Sequence, residues 1–518
     1  MTAAGGPGPA ALPAPALAEW RAALGPGHVR VGGEDLERAG QATFATGQRS
    51  PALLLPGDRE AVAACLRIAA RHGVAVYPLS GGRNWGYGSR VPPRDGTVLL
   101  SLARLDRIVA HDEDLAYVTL EPGVTFAMLG DFLCRRGSRL LPPMTGAPPG
   151  ASVVGNVLER GIGKGPYEDI AARSCAYEVV LPSGEVIHTG FAAHPHARVA
   201  ALRAEGPGPA LQGLFAQGNL GVVTQLTVWL QPAPALRQRV FFRLTAGGEL
   251  EVAVDRLRGL LLRGATDLQV EIVNDYRVLA MQGQFPFDRR DGGEALSRGW
   301  VEGALSPLGG ARWYGCATLW AEDGEELQWR RRRLAAALAD LEGGLDPEVP
   351  APGADAAGSS EAGIRSTYWR KREPPPADPD PDRDRCGVIW VAPVLPMVGE
   401  EAASALAAIE ETALGAGLEP SISLRPVGGR AMQAVVGLMY DRDAPGADAR
   451  ASACHLALRR LLEARGLIPY RLGLLDFEAP PAQAAANAEL LRALKRLLDP
   501  AGILAPGRYI PGERGEGP

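Results

Sequence analysis

The stretch PLSGGRNWGYGSR, residues 78–90, places four glycines around Arg83, Asn84 and Tyr87, directly after an apolar run. A turn needs one or two glycines. A series of them removes Cβ atoms along a whole segment and lets backbone N–H groups approach a bulky anion. The stretch therefore predicts a loop that cradles a pyrophosphate. A plain surface turn is the alternative, because a single glycine motif is weak evidence.

A β-α-β pattern leads into this loop. An apolar strand at 52–56 is followed by a helical pattern from Arg59 to His72, closed by Gly73, and then by the strand VAVYP. Further predicted elements are strands at 96–102 and 116–120, a helix at 125–136, a hairpin over 177–189 and a strand at 221–230. The region is mixed α and β throughout.

The pattern changes near residues 231–234, where the glycine-rich loops give way to longer alternations of strand and helix, including a helix at 325–341. A domain boundary is predicted there. Residues 345–385 are rich in Pro, Asp, Gly and Ser and predict an exposed loop, although the aromatic island YWRK at 368–371 is untypical of a linker. A final helix is predicted over 481–498.

Length and charge limit the classes of function. The 518 residues suffice for two or more domains, and a formal charge of −5 without a long basic run argues against nucleic acid or a membrane as the partner. The N-terminal stretch lacks the pattern of a signal peptide or a membrane span, which predicts a soluble, cytoplasmic protein. Six cysteines without CxxC spacing, and His194 and His196 without further ligands, predict neither a disulfide framework nor a metal site.

Several separate stretches together resemble one family. They are PLSGGRNWGYG at 78–88, EPGVTF at 121–126, GNVLERGIG at 155–163, YEVVLPSGEVIHTG at 177–190, GLFAQGNLGVVTQLTVWL at 213–230 and LDPAGILAPGRY at 498–509. In this order they resemble the flavoprotein family of vanillyl-alcohol oxidase, eugenol oxidase and the flavin subunit of 4-cresol dehydrogenase. The resemblance extends from about residue 50 to the end of the chain.

The resemblance implies an α+β fold, in which a two-part FAD-binding domain of the vanillyl-alcohol oxidase and cresol methylhydroxylase type is interrupted by an α/β cap domain. The implied segments are an N-terminal tail at 1–45, the main part of the FAD-binding domain at 46–235, the cap at 236–469 and a C-terminal segment at 470–518. The C-terminal segment is expected to complete the FAD and substrate site.

The resemblance also implies where FAD binds. The residues expected to contact it are Ser80, Gly81, Gly82, Arg83, Asn84, Gly88, Gly155, Asn156, Gly161, Gly163, Gly218, Asn219, Val223 and Arg508. Non-covalent binding is expected, because Gln433 and Ala434 stand where family oxidases carry a tethering cap histidine, and Arg83 and Asn84 stand where the berberine-bridge type carries one. A tyrosyl tether of the cresol dehydrogenase type stays an open alternative.

Tyr87, Tyr470 and Arg471 match the positions at which phenol-oxidising members bind their substrate as its phenolate. Two phenol hydroxyls can donate to the oxyanion, and a permanently charged guanidinium lowers the pKa of the bound phenol. An ionised phenol pushes electron density towards the para position, which makes hydride loss from the benzylic carbon feasible. The alternative is two packing tyrosines and a surface arginine.

Glu159, in LERG, matches a family aspartate near the flavin N5. A carboxylate there could stabilise hydride transfer and later activate water, and the alternative is a glutamate that caps or pairs with Arg160. In GIGKGPYEDI, Lys164 replaces a neutral residue and Ile170 replaces a histidine. This departure indicates either a substrate with an acidic group or an altered surface loop, and the surface loop is slightly favoured.

The leading hypothesis is an FAD-dependent oxidase or dehydrogenase that oxidises a 4-alkylphenol or 4-hydroxybenzyl alcohol by benzylic hydride transfer. The resulting quinone methide then adds water or rearranges. Reduced flavin is expected to pass electrons to oxygen or to an acceptor such as a cytochrome, and homodimers are the habit of the family. Two alternatives stay open: oxidation of a non-phenolic alcohol or secondary-metabolite intermediate, and an inactive flavin-binding partner protein.

Overall fold

The computed structural model describes residues 12–164, 169–264, 269–288, 295–341, 345–346 and 360–510. Its α-helices are Ala14–Leu24, Glu34–Ala39, Arg59–His72, Phe126–Arg135, Val153–Leu158, Glu249–Leu262, Asp275–Gln282, Arg298–Ala304, Gly324–Ala337, Ser360–Thr367, Gly399–Gly415, Ala447–Ala464 and Ala485–Leu498. Within these ranges, each helix is too short or too polar to cross a lipid bilayer.

A four-stranded sheet opens the first domain. In spatial order its strands are Val29–Arg30, Leu53–Leu54, Val98–Ser101 and Val76–Leu79. The predicted helix Arg59–His72 is confirmed: the Asp58 side chain caps its start by accepting from Ala61 N, and Gly73 ends it at φ +61°. Only glycine adopts this left-handed conformation without cost, so the chain turns there into the next strand.

The C-terminal segment returns to this sheet. Val76 N donates to Ile503 O at 2.8 Å, and Ala505 N donates to Val76 O at 2.8 Å. Ile503 and Leu504 are buried in the same apolar core as the helix Arg59–His72. Two parts of the chain that lie far apart in sequence therefore build the first domain.

A five-stranded antiparallel sheet completes the first domain. Its strands, in spatial order, are Ile108–Asp112, Tyr117–Leu120, Val222–Trp229, Ser174–Val180 and Val186–His188. The predicted hairpin is observed in the pairing of Val180 with Val186 and of Glu178 with His188. The helices Phe126–Arg135 and Val153–Leu158 pack on this sheet and share its apolar core. The first residues of the second helix thereby come to lie beside the glycine-rich loop.

An eight-stranded sheet forms the second domain, which we call the cap. The spatial order is Leu345–Asp346, Leu236–Leu244, Trp313–Ala321, Gln269–Asn274, Pro420–Val427, Ala431–Asp441 and Cys386–Val391, and Val394–Pro396 also pairs with Ala431–Asp441. The helices Glu249–Leu262, Gly324–Ala337, Gly399–Gly415 and Ala447–Ala464 contribute to one apolar core with the sheet. Because side chains alternate along a strand, the opposite face of the sheet is free to face the first domain.

The segment predicted as an exposed loop, 345–385, is more structured where it is described. Residues Ser360–Thr367 form a helix, and Tyr368 and Trp369 are buried behind it. The Trp369 indole N–H donates to Glu419, and Arg370 pairs with the same carboxylate at 2.7 Å. Tertiary packing of the aromatic island therefore overrides the loop-like composition of its surroundings. Residues 347–359 lie outside the described residues.

Candidate active site

A cavity of about 370 Å³ lies between the first domain and the cap. The glycine-rich loop, the helix Val153–Leu158 and residues 217–223 line one side, while cap strands and the C-terminal segment line the other. The predicted site residues in its lining are Ser80, Gly81, Gly82, Arg83, Asn84, Tyr87, Gly155, Asn156, Glu159, Gly161, Gly218, Asn219, Val223, Tyr470, Arg471 and Arg508. Positions from four distant segments thus converge on one space.

Gly88 and Gly163 are the two predicted site residues outside this lining. Gly88 has φ +113°, and a Cβ there would lie 2.6 Å from the Cβ of Leu474. Gly163 pairs with Thr145 in an isolated antiparallel bridge. Close packing against Leu474 accounts for Gly88, and contact of either glycine with a cofactor stays a prediction.

The glycine-rich side of the cavity fits an adenine dinucleotide flavin. A Cβ atom on Gly155 would lie 2.8 Å from Ser80 Oγ, and a Cβ atom on Gly81 would lie 3.4 Å from Gly150 O. Because both residues are glycines, the backbone itself forms the cavity wall at these positions. The Oδ1 atoms of Asn156 and Asn219 are buried without a hydrogen-bond partner. Orphaned acceptors of this kind require donors, and FAD carries such donors in its ring N–H and its hydroxyl groups.

The three residues predicted to hold a phenolate meet at one end of the cavity. The guanidinium carbon of Arg471 lies 4.3 Å from the ring centroid of Tyr87, and Arg471 Nη2 donates to Asn84 Oδ1. Tyr470 is fixed through its backbone, because its N–H donates to Ala392 O at 3.1 Å and its carbonyl accepts from Gln217 at 3.0 Å. The pair Tyr470-Arg471 is therefore held by both domains.

Burial raises the pKa of Tyr87 well above its ordinary value, and the neighbouring Tyr470 raises it further, although Arg471 opposes both effects. The Tyr87 hydroxyl therefore keeps its proton at physiological pH. A neutral hydroxyl can donate to an oxyanion, whereas a phenolate at this position would repel one.

Glu159 accepts two hydrogen bonds from the C-terminal segment and forms an ion pair with Arg471 of the same segment. Its Oε2 accepts from the Tyr509 hydroxyl at 2.9 Å and lies 3.1 Å from Arg471 Nε, and its Oε1 accepts from Arg508 Nη2. Glu159 thus pairs with these residues of the C-terminal segment, and not with Arg160 as the alternative from the sequence would have it. Both carboxylate oxygens therefore have partners, and Glu159 helps to fix Arg471 and Arg508, while its role in the reaction stays a prediction.

Several residues of the site escape sequence reasoning. Tyr509 contacts Glu159, and Tyr77, read from sequence as part of an apolar strand, accepts from Arg508 Nη1. Asp476 accepts from Gly473 N at 2.7 Å and from His455 at 2.9 Å, which fixes the segment after Arg471. The turn-rich stretch around 473–476 is a local signal for this bend, but nothing local points to a partner such as His455.

The cap side of the cavity is basic. Lys164 at the edge of the first domain, Arg277 in the first turn of the helix Asp275–Gln282, and Arg425 on the strand Pro420–Val427 all contribute to the lining. The slightly favoured interpretation of Lys164 as a surface-loop residue is wrong, because Lys164 is half-buried and its side chain faces the cavity. Ile170 is buried in the core of the first domain.

The cap contributes no histidine, cysteine or tyrosine to the cavity within the residues that the structure describes. Its lining residues are Arg277, Gly363, Ile364, Thr367, Trp390, Ser423, Arg425 and Val435. Ala434, at the predicted tether position, is fully buried in the cap core. Among the described cap residues of this lining, Thr367 and Ser423 carry hydroxyl groups, and the linkage of the flavin stays a prediction.

Comparisons with known proteins identify a flavin-binding domain in this chain. A family model for an FAD binding domain matches residues 50–190. The 1'-carboxy-chondrochloren decarboxylase of Chondromyces crocatus is 42% identical over 522 residues, which cover 95% of this chain and 96% of that protein. The 4-cresol dehydrogenase (hydroxylating) flavoprotein subunit of Pseudomonas putida is 26% identical over 462 residues, covering 87% of this chain and 85% of that one.

Two solved structures share the fold over nearly the whole chain. The crystal structure of p-cresol methylhydroxylase with substrate bound has a TM-score of 0.87 and 25% identity and covers 96% of both chains. The 4-ethylphenol oxidase of Gulosibacter chungangensis, as its isoeugenol complex, has a TM-score of 0.88 over 97% of this chain and 98% of that one, with 24% identity. The predicted arrangement of a two-part domain with an inserted cap is thereby confirmed.

Proposed function

Because this chain belongs to the vanillyl-alcohol oxidase and p-cresol methylhydroxylase family of FAD-linked oxidoreductases, we propose that it oxidises a para-substituted phenol bound as its phenolate. The observation that carries the proposal is the meeting of Tyr87, Tyr470 and Arg471 in the same cavity as the glycine-rich wall. When bound, FAD supplies a two-electron acceptor for a hydride.

The residues around the phenol act by binding and electrostatics. Tyr87 donates its hydroxyl proton to the substrate oxygen, because its own pKa is raised and it stays neutral. Arg471 supplies a fixed positive charge that lowers the pKa of the bound phenol and stabilises its anion. Asn84 and Glu159 prevent that guanidinium from turning away. The cap forms the opposite wall of this space.

A second candidate concerns the fate of the oxidised substrate. We infer that oxidation ends in decarboxylation when the para side chain carries a carboxylate on its second carbon. The phenolate loses a hydride from the benzylic carbon and becomes a quinone methide. The C–COO⁻ bond then breaks, its electron pair forms the side-chain double bond and restores the aromatic ring, and carbon dioxide leaves with a 4-hydroxystyrene as product.

Two observations favour this outcome over hydration. The relative from Chondromyces crocatus, at 42% identity, is a decarboxylase. Glu159, the residue expected to activate water, has both oxygens engaged by Arg508, Arg471 and Tyr509. Decarboxylation consumes no water and needs no free base at this position.

The test is an anaerobic titration of the FAD-loaded protein with 4-propylphenol and with 3-(4-hydroxyphenyl)propionate, followed by the visible absorption of the flavin. Bleaching by either phenol supports the proposal, and analysis of the product for 4-hydroxystyrene or its hydrated form separates the two fates. Tyr87→Phe should bleach far more slowly, whereas Tyr117→Phe, on a strand of the five-stranded sheet, is the matched control. A flavin that only non-phenolic alcohols reduce, or that nothing reduces, would contradict the proposal.

The same FAD-loaded protein can be used to determine the electron acceptor and the linkage of the cofactor. We propose that reduced flavin passes its electrons to oxygen or to a carrier protein such as a cytochrome, and admission of air after bleaching distinguishes these. We propose that FAD is held without a covalent bond, which acid precipitation tests by releasing the yellow colour into the supernatant. A homodimer is proposed from the habit of the family, and the mass in solution tests it.

A further inference from the structure

The strands of the cap sort their side chains by face. On neighbouring strands, Ile272 pairs with Leu424, and both are buried in the cap core. Glu271, Ser423 and Arg425 are the adjacent positions, and the alternation of a strand directs them to the opposite face. Ser423 and Arg425 indeed line the cavity. The sequence of the cap therefore places charge on the inner face of a sheet whose other face is apolar.

This inner face carries more positive than negative charge. Arg425 Nη2 pairs with Glu271 Oε1 at 2.6 Å. The Arg277 side chain donates from Nη1 to Ser421 Oγ at 3.3 Å, and Lys164 stands opposite on the edge of the first domain. Among the described residues, Glu271 is the carboxylate that these three cations share.

The excess charge is desolvated, which is costly unless an anion is present. The Nε atoms of Arg277 and Arg425 are buried without a hydrogen-bond partner. Burial lowers the pKa of Arg277, and it lowers the pKa of Lys164 to about 8 although Glu271 opposes this. The three cations instead hold the pKa of Glu271 at about 2 against the effect of its own burial. Three cations thus share one carboxylate among the described residues, and such an excess of buried positive charge favours the binding of an anion.

We propose that Lys164, Arg277 and Arg425 form a binding site for a carboxylate at the end of the substrate's para side chain. The inference rests on the proposed function, since it takes the phenol end of the substrate to lie at Tyr87, Tyr470 and Arg471. The substrate class is then a 4-hydroxyphenyl compound with an acidic side chain, and its two charged ends are recognised by different groups of residues in the cavity. A carboxylated substrate also accords with the name of the Chondromyces crocatus relative.

The site acts on binding more than on rate. An ion pair stabilises the carboxylate of the bound substrate before any bond breaks, so its binding energy lowers KM without lowering the barrier. Loss of one charged hydrogen-bond partner should therefore raise KM for the acid by about 10- to 100-fold. A neutral phenol of the same length should not respond.

The experiment compares 3-(4-hydroxyphenyl)propionate with 4-propylphenol in the FAD-loaded protein and in Arg277→Gln, which retains a donor for Ser421. We expect the acid to have the lower KM in the parent and to lose that advantage in the variant. Arg237→Gln is the control, since Arg237 is exposed at the edge of the same sheet and contacts Trp320. Equal KM values for acid and neutral phenol in the parent, or an equal loss for both in Arg277→Gln, would overturn the inference.

Two further measurements separate this inference from the proposed function. The acid 3-phenylpropionate lacks the phenol, so quenching of flavin fluorescence reports its binding even if no phenol is oxidised. Binding to the parent and not to Arg277→Gln would support the carboxylate site regardless of the reaction. Loss of bound FAD from Arg277→Gln would assign the cluster to the cofactor phosphates and refute it.

Discussion

The two walls of the cavity are built in opposite ways. The wall of the first domain consists of backbone brought close by missing side chains at Gly81, Gly82 and Gly155. The cap wall consists of side chains, with Arg277 and Arg425 projecting from a helix and a strand. A backbone wall can bind one cofactor in many proteins, whereas a side-chain wall can change with each substrate. We therefore expect cofactor binding and substrate choice to respond to different substitutions.

The largest effect on this division is expected from Arg471→Ala. The substitution removes the fixed charge beside Tyr87, and loss of one preorganised oxyanion partner costs roughly 100- to 1000-fold in rate. FAD content should stay at the parent level, since Arg471 belongs to the substrate end. The rate of flavin reduction by 4-propylphenol in a single turnover measures the loss of activity. A parent-like rate would mean that the phenolate is held elsewhere.

The next effect is expected from Glu159→Gln, which removes the charge that holds Arg471 and Arg508. Charged hydrogen bonds contribute about 1.5–3 kcal/mol each, so we expect kcat/KM for both phenols to fall by about 10- to 100-fold. Glu159→Asp carries the residue usual for the family and is the control that keeps the charge. If Glu159→Gln instead keeps the parent kcat/KM but changes the ratio of hydrated to decarboxylated product, Glu159 is assigned to water activation.

A smaller effect, of about tenfold, is expected from pH at the cap wall. Burial, together with Arg425, Arg277 and Arg239, lowers the pKa of Lys164 to about 8, and Glu271 opposes them. Lys164 thus loses its charge as the pH rises through 8, so KM for 3-(4-hydroxyphenyl)propionate should rise between pH 7 and 9 relative to KM for 4-propylphenol. Lys164→Arg should flatten this ratio. A ratio that is flat in the parent would remove Lys164 from the carboxylate site.

The smallest effect is expected where the two walls join. Asp382 of the cap accepts from Trp85 Nε1 at 3.1 Å and from Ser89 Oγ at 2.8 Å, and burial raises its pKa to about 7. The pKa of this carboxyl is higher in the folded state than its value of about 4 in the unfolded state. Its contribution to stability is therefore greatest below about pH 4 and is lost as the pH rises to 7. Between pH 5 and 8, Tm should fall more in the parent than in Asp382→Asn, by about 2 °C. Equal slopes would show that Asp382 is not the titrating group.

The backbone wall was predictable from the sequence because the signals for each of its elements lie within a few neighbouring residues. The helix Arg59–His72 is marked by Asp58 at its start, whose side chain caps it, and by Gly73 at its end, whose left-handed backbone terminates it. The glycines of the loop 78–88 stand next to one another in the chain, so their common purpose is visible in a short window. Steric and capping rules of this kind need no knowledge of the rest of the molecule.

The cap wall was not predictable from the sequence because the residues that form it lie far apart in the chain and meet only in the fold. Arg277 and Arg425 are nearly 150 positions apart and meet through the pairing of Ile272 with Leu424. Lys164 stood out as unusual, but its burial depends on a domain that begins some 70 residues later. The same holds for Glu159, whose neighbour Arg160 suggested a local pair while its actual partners come from the last part of the chain.

The return of the C-terminal segment to Val76 has a consequence for biosynthesis. Arg471, Arg508 and Tyr509 follow both the glycine-rich loop and the cap in the sequence, yet they contact Glu159 at the cavity. During synthesis the glycine-rich loop is therefore made well before the residues that complete the cavity around it. The cavity acquires its full lining only after the cap has been made.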